Sequence, residues 1–521
     1  MKKLITIIAI AILIFSSSAE AAKNYLIQSG TSGAASWTKT PGANDSIVDL
    51  TVAGQTLTAW LAGRTSWAAG DQVWIAAGTY SFTSYYNIGS SPSLATSYPS
   101  AIYGGFAGNE NVISDRTKGA NVWDYTHETI LNGSGSTNGI FGAGSDRNMT
   151  IDGLTLTGCP STAGQAIFQR PNMSIQNCKF TSNACVALRY YITSASKNAT
   201  TSSCYFANNT NTVSGGAEGG CIMANNGSAG GTYTVTGCVF DSNSGTAGGS
   251  GASAGIKAQG AGNVEITRCI FKNNNATAGN SSAVSLTSAT SSLKNSLIYG
   301  TSAATNKVAV YVSAGSVINC TVVNNLGGGA YLSNATTSTI SLTNNVFWGE
   351  DAKSGQVSTV AGCLGTISNC AYTNLSANFT GSVINTVDIT TTTTGLFTDP
   401  VNNVWTLASG SVLADMGTAT NAPAVDLVGV TRPQGAGVDI GAYESLVSGS
   451  KYVTAEKQIF VQTGNKLVAM AEGNASVYDV HGKLYINRHV SAGDEITMNS
   501  SGVYFITLTT TNSRTVQKII L

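Results

Sequence analysis

The stretch VEITRCIFKNNNATAG, Val264–Gly279, places Cys269 two residues before Phe271 and five before Asn274. The same grammar recurs as Cys178, Phe180 and Asn183 in QNCKFTSN, and as Cys204, Phe206 and Asn209 in SSCYFANN. TGCVFDSN repeats it at Cys238, Phe240 and Asn243, and INCTVVNN does so with valine at Cys320, Val322 and Asn325. With Gly153, Ser296, Asn345 and Cys370 also taken as markers, the series steps by 25, 26, 34, 31, 27, 24, 25 and 25 residues. Upstream, Ile75, Ile102 and Ile130 extend a similar spacing without the cysteine.

A period near 25 residues built from short alternating strands predicts a solenoid. A leucine-rich repeat lacks its leucine and asparagine consensus here, and no amphipathic helical pattern separates the strands as a βαβ unit requires. The expected fold is therefore all-β: a single-stranded right-handed parallel β-helix. Roughly a dozen coils at about 4.8 Å each would give a rod ~60 Å long. Equivalent residues then stack. The cysteines become a small apolar column beside one of Phe, Val and Ile, and the asparagines sit at bends, bonding their stacked neighbours. Because Ile266 and Arg268 share one alternation phase, a turn near the cysteine must reset the pattern. The intervals of 34 and 31 residues contain the Gly/Ser-rich insertions SGGAEGG and GTAGGSGASAG, read as projecting loops.

Composition limits the function classes. Of 521 residues only 10% are charged, the formal net charge is zero, and there are 59 Gly. Nucleic acid and anionic membranes have no electrostatic footprint to bind. Two lysines precede the apolar run Leu4–Phe15 in MKKLITIIAIAILIFSSSAEAA. This predicts a signal peptide over residues 1–21, cleaved after Ala19 or Ala21, with no membrane anchor in the mature chain. Export makes the 10 cysteines a disulfide question. The periodic ones read as structural thiols, while Cys159, Cys185, Cys221 and Cys363 fall outside the register and leave one or two bridges open. Zinc is not expected, since no C-x-x-C pair occurs.

The CxFxxN series, with GGC at Gly219–Cys221 and GGGAYL from Gly327, resembles the right-handed β-helix of pectin-lyase-like proteins. It is most similar to the FxxN and GGxx repeats of polymorphic outer-membrane proteins. AAGTYSF and AIYGGFAGNENVISDR resemble the opening coils of large secreted Bacteroidetes β-helix proteins. DLVGVTRPQGAGVDIGAYE, Asp426–Glu444, resembles their closing choice-of-anchor segment. The resemblance spans roughly residues 23–446, so the domain is set at 22–446, with a polar linker at 447–455. Residues 456–521 change grammar to alternating strands, expected to form a small β-sandwich. VYDVHGKLY, GVYFITL and the QKIIL terminus resemble the sorting domain of the type IX secretion route. That resemblance implies the secretion machinery as partner and a secreted or outer-membrane-surface location. A generic carbohydrate-binding or Ig-like sandwich is the alternative.

Catalytic groups are sparse. The three histidines are His127, His481 and His489, and from Ile151 to Glu350 the acids are Asp152, Glu218, Asp241, Glu265 and Glu350. A glycosidase needs two carboxyls facing one bond, and Asp241 and Glu265 fall in different columns. A polysaccharide lyase needs a base, commonly with calcium on clustered carboxylates. Arg189, Lys197, Lys257 and Arg268 are available as bases, but no such acidic cluster accompanies them. Glu110, Asp115 and Arg116, and Asp426, Arg432, Asp439 and Glu444, read as cap structure over the open ends of the coil stack. No catalytic residue is assigned and no cofactor is expected, calcium being the ion a lyase would require. Arg189, Tyr190 and Tyr191 form the best sugar-facing patch. The favoured function is non-catalytic, adhesin-like binding of a polysaccharide or surface glycan. The alternatives are a lyase or glycoside hydrolase of pectin-lyase-like fold, and a structural stalk.

Overall fold

Twelve strands stack in parallel in one sheet, beginning with Gly78–Ser81, Thr129–Asn132 and Leu154–Thr157 and ending with Val387–Asp388. This is face I, whose strands directly follow the marker residues. The computed structural model that shows them describes residues 21–445 and 459–520, apart from 30–34, 53, 65, 89–97, 145, 193–196, 213–219, 228–230, 247–251, 304–307, 335–339, 350–355, 391–393, 464, 480–482, 499–501 and 510–513. The expected signal peptide up to residue 20, the expected linker at 447–455 and the expected loops around Gly215 and Gly248 lie outside the described residues.

Two further faces complete each coil, and the chain winds as a parallel β-helix. Face II contains Gln165–Gln169, Val186–Ile192, Ile222–Asn226 and Ile256–Gly260. Face III contains Met173–Gln176, Ala199–Ser202, Thr232–Thr236 and Asn263–Thr267. At the amino end, face III continues through Ala101–Phe106, Gln72–Ala76 and Asn24–Gln28 to Asp45–Asp49. A short helix, Leu57–Gly63, packs Leu57 and Leu61 into that end of the core, with Thr56 capping it from its side chain to the Ala59 N–H at 3.1 Å.

The repeating motif reads directly as geometry. Cys178, Cys204, Cys238 and Cys269 point inward and are fully buried, as are Phe180, Phe206, Phe240 and Phe271. The four rings stack nearly parallel, with successive centroids 4.7, 4.7 and 4.6 Å apart. The expected reset of alternation is a single left-handed residue before each cysteine: Asn177, Ser203, Gly237 and Arg268, with φ of 51°, 53°, 62° and 53°. A second left-handed residue follows each face I strand, at Ser182, Asn208, Ser242 and Asn273. Asparagine tolerates this conformation better than other residues with a Cβ. The motif asparagine itself is the next residue, not the left-handed one, and its side chain turns into the interior.

There the asparagines form a ladder. The Asn209 N–H and Nδ2 both donate to Asn243 Oδ1, at 3.0 and 2.9 Å, and Asn243 does the same to Asn274 at 3.0 and 2.9 Å. Asn183 begins the series by donating to Asn209 at 3.1 and 2.9 Å. Each amide also donates backwards, as Asn243 Nδ2 does to the Phe206 carbonyl at 2.9 Å. Buried polar groups must be paired in this way.

Register corrects two sequence assignments. Gln176 pairs with Asp152 and Thr155 with Lys179, so Leu154 occupies the cysteine place and Gly153, at φ 74°, is the left-handed residue before it. Ile102 pairs with Val73 on face III, whereas Ile130 pairs with Thr155 on face I, so Ile75, Ile102 and Ile130 are not equivalent positions.

All ten cysteines are free and buried. The marker thiols donate to the carbonyl two residues back, for example Cys178 to Gln176 at 3.2 Å and Cys204 to Ser202 at 3.2 Å. Burial raises the thiol pKa of Cys320 and Cys370, to about 12 in each.

Residues 389–444 do not cap an open end. Those of them that the structure describes lie along the side of face I, where Leu396, Phe397, Trp405, Leu427 and Ile440 cover the outward Leu297, Val323, Val346 and Trp348. The reason is compositional: face I is apolar on its outer surface in these coils and needs a cover. The segment is held by Arg432–Glu444 at 2.6 Å, both side chains almost wholly buried, and by Asp426 accepting from the N–H groups of Val428, Val430 and Glu444. Near the other end, Glu110 accepts from three successive N–H groups, Ala107 to Asn109. Asp115 accepts from the N–H groups of Asn111 and Val112, and Arg116 pairs with buried Asp152 at 3.1 Å.

A second compact unit begins at Leu446. It has a three-stranded and a four-stranded antiparallel sheet around one core that includes Phe460, Leu467, Val477, Ile496 and Ile506.

Candidate functional site

Face I changes character along its length. Its outward positions are charged and aromatic in the middle coils, and apolar and covered in the later ones. Where the cover ends, Tyr205, Val239, Ile270 and Tyr299 floor an open groove of about 480 Å³. Tyr205, Val239 and Ile270 are one stacked column, and Lys272 and Tyr299 belong to the next. Asn121, Trp123 and Asp124 form one wall, from the chain between the Ala101–Phe106 and Thr129–Asn132 strands. The Trp123 indole stacks on Tyr205 at 5.6 Å with the rings 7° from parallel. At the far end Tyr299 rests against Trp405 of the covering segment, 6.1 Å away.

The polar groups are tied into two clusters. Asp241 receives Lys272 Nζ at 3.0 Å, the Tyr205 hydroxyl at 3.1 Å and the Ser242 hydroxyl at 2.9 Å. Lys179 bridges Asp124 at 3.0 Å and Glu128 at 3.1 Å. Burial alone would lift the Asp241 carboxyl, but the bonds from Lys272 and Ser242 outweigh it and hold the group below the ordinary carboxylate value. Burial likewise opposes, and bonds from Asn121 and Lys179 overcome, the shift at Asp124, which is also held low. The Tyr205 phenol is pushed up to about 12, first by burial and then by the Asp241 charge. Asp124 on the wall and Asp241 beside the floor are thus acceptors for hydroxyl groups. A general acid requires the opposite shift.

The patch expected from sequence divides. Tyr190 points into the core, fully buried, and stacks on Tyr233 at 4.0 Å, so it cannot touch a sugar. Arg189 and Tyr191 alternate outward on face II, both half-buried. The fold adds two neighbours that sequence reading missed. Phe168 pairs with Arg189 on the adjacent strand and stacks on Tyr191 at 6.4 Å, and Arg170 lies over both rings at 4.5 and 5.3 Å.

Of the other basic residues considered, Lys197 pairs with Asp146 at 3.5 Å, Lys257 is buried, and Arg268 donates to the Leu427 carbonyl at 3.3 Å. Glu265 is on face III, bound to Lys294 at 2.6 Å, and therefore far from Asp241 on face I. Among the described residues no three His, Cys, Asp or Glu side chains converge as a metal site, and no helix is long and apolar enough to cross a membrane.

The groove was hidden in the sequence because Trp123 stands outside the repeat. The signal for it was the pair of outward aromatics at marker plus one and marker plus three, Tyr205 and Tyr299, in columns that also carry Lys179, Asp241 and Lys272.

No protein-family model matches the chain, and no curated protein does. Among solved structures, the crystal structure of pectate lyase Pel9A is similar over 81% of this chain and 97% of its own, with 13% identity and a TM-score of 0.41.

Proposed function

We propose that the protein is an exported β-helix whose face I groove binds glycans at the cell surface or outside it, in an adhesin-like role. The observation that carries this reading is the groove itself: aromatic rings on floor and wall, beside ionised Asp124 and Asp241. Aromatic faces pack on the apolar faces of sugar rings, and fixed carboxylates accept from sugar hydroxyls. The sequence supports the route: a leader over residues 1–21 for export, and a C-terminal unit resembling type IX sorting domains for passage across the outer membrane. Hydrolase and lyase chemistry have less support, since Asp124 and Asp241 are both held ionised and Lys179 is held protonated by Asp124 and Glu128 against its burial.

A glycan array followed by calorimetry on the mature chain tests the reading. Trp123→Ala is expected to weaken the best oligosaccharide by about 2 kcal/mol, ~30-fold, as for a central aromatic contact. Tyr205→Phe, which keeps the ring but releases Asp241, is expected to cost less. Wild-type affinity in Trp123→Ala, or calcium-dependent cleavage of acidic polysaccharides, would overturn it.

A further inference from the structure

On face II, away from the groove, Arg189 presents an anomaly. Its Nε is completely buried and, among the described residues, has no hydrogen-bond partner, nor does the side chain make an ion pair with them; the Phe168 ring lies 5.9 Å from the guanidinium carbon. A buried donor left unpaired is costly, more so when charged, and such groups in native proteins point to an absent partner.

The surroundings specify the sign of that partner. Arg170 sits over the same Phe168 ring at 4.5 Å, and among the described residues its guanidinium hydrogen-bonds main-chain carbonyls alone, Ala143 at 3.1 Å and Tyr191 at 3.3 Å. Two guanidinium groups thus lie against one aromatic ring. Burial and the Arg189 charge both press the Arg170 pKa downward, while Asp146 opposes them. Asp146 is the one carboxylate that the described residues bring to this cluster, and its side chain is already paired with Lys197 at 3.5 Å. Cations therefore outnumber anions around a partly dry aromatic patch.

We propose that Arg189 and Arg170 form an anion site for an acidic substituent of a saccharide, a carboxylate or sulfate, with Phe168 and Tyr191 flanking the sugar ring. The planar fork of arginine matches either oxyanion with two parallel bonds, which the terminal nitrogens would donate, the Nε being closed to solvent. Placed between aromatic walls, the pair discriminates an acidic sugar from its neutral counterpart by charge, in a way the ion-paired groups of the groove do not. The inference does not rest on the groove: it invokes another face and other residues.

The test titrates the mature chain with three probes: a uronic-acid oligosaccharide, the same oligosaccharide with its carboxyls reduced to alcohols, and a sulfated neutral oligosaccharide. The uronate is expected to bind at least ~10-fold more tightly than the reduced form, with affinity falling as salt rises. Arg189→Gln is expected to erase that preference and Arg189→Lys to keep part of it. Sulfate binding equal to uronate binding assigns the site to oxyanions generally; weaker sulfate binding assigns it to carboxylates. Because the preference and its salt dependence are read in the unmodified protein, misfolding of a variant does not spare the proposal. Equal binding of acid and alcohol forms, failure of both acidic probes to bind, or an undiminished preference in folded Arg189→Gln would refute it.

Discussion

Replacing Asn243 by alanine tests whether the ladder, and not merely the apolar stack, holds adjacent coils in phase. The Asn243 side chain is buried and makes four hydrogen bonds across coils: Oδ1 accepts from Asn209 N–H and Nδ2, and Nδ2 donates to the Phe206 carbonyl and Asn274 Oδ1. Truncation leaves the Asn209 N–H without an acceptor, at about 1–3 kcal/mol, and removes three bonds from groups that retain other partners, at about 0.5–1 kcal/mol each. The expected loss is roughly 3–6 kcal/mol. Against a typical domain stability of about 5–15 kcal/mol this is large. Asn208→Gly, at the neighbouring exposed position with φ 54°, is the control and should change stability by no more than about 0.5 kcal/mol. Solenoids can unfold in parts, so chemical denaturation should be joined to amide exchange. The Asn209 amide should lose protection selectively in Asn243→Ala. Equal midpoints for the two variants, or unchanged exchange at Asn209, would refute the assignment of coil phase to the ladder.

Two further outcomes follow from titration. Because all 10 thiols are buried, and burial pushes Cys320 and Cys370 up to about 12, the native protein at pH 8 should react negligibly with a thiol reagent, and all 10 cysteines should react once it is unfolded; prompt labelling of the native form contradicts the buried file. Asp241 has a depressed folded pKa, so its contribution to stability is complete above the ordinary value of 3.8 and is lost as pH falls through the lower, folded value. Carbon-detected titration should place its midpoint below 3.8 and Lys272→Met should raise it; a wild-type midpoint at or above 3.8 would show that the groove cluster is not formed.

Much of the architecture was legible because a stacked coil turns spatial proximity into sequence period. Cys269, Phe271 and Asn274 each recur where the next coil must present the same environment, and the conflict between Ile266 and Arg268 revealed a turn before it was seen. What the period could not show was register at positions where residue type changes. Gly153 stood in for a cysteine in the text of the repeat, yet its backbone conformation belongs to the residue before. The binding surfaces were less legible for a related reason. Tyr190 looked like part of a sugar-facing pair, but strand alternation turns adjacent residues to opposite sides, so Tyr190 and Tyr191 could not both face out. Trp123, Phe168 and Arg170 lie off the motif and reach their sites through coil stacking and an excursion of the chain. The cover over face I was readable in principle, from the apolar outward residues Val323, Val346 and Trp348 on successive strands.

The asparagine ladder also has a direction. Each finished turn of chain leaves an N–H and an amide proton waiting on its carboxyl-terminal side, and the oxygen of the next asparagine satisfies both at once. The polarity fixes phase: a turn that slipped by a single residue would find no seat. Were the chain exported amino end first, as the proposed function has it, each docked turn would resist backsliding of the chain behind it.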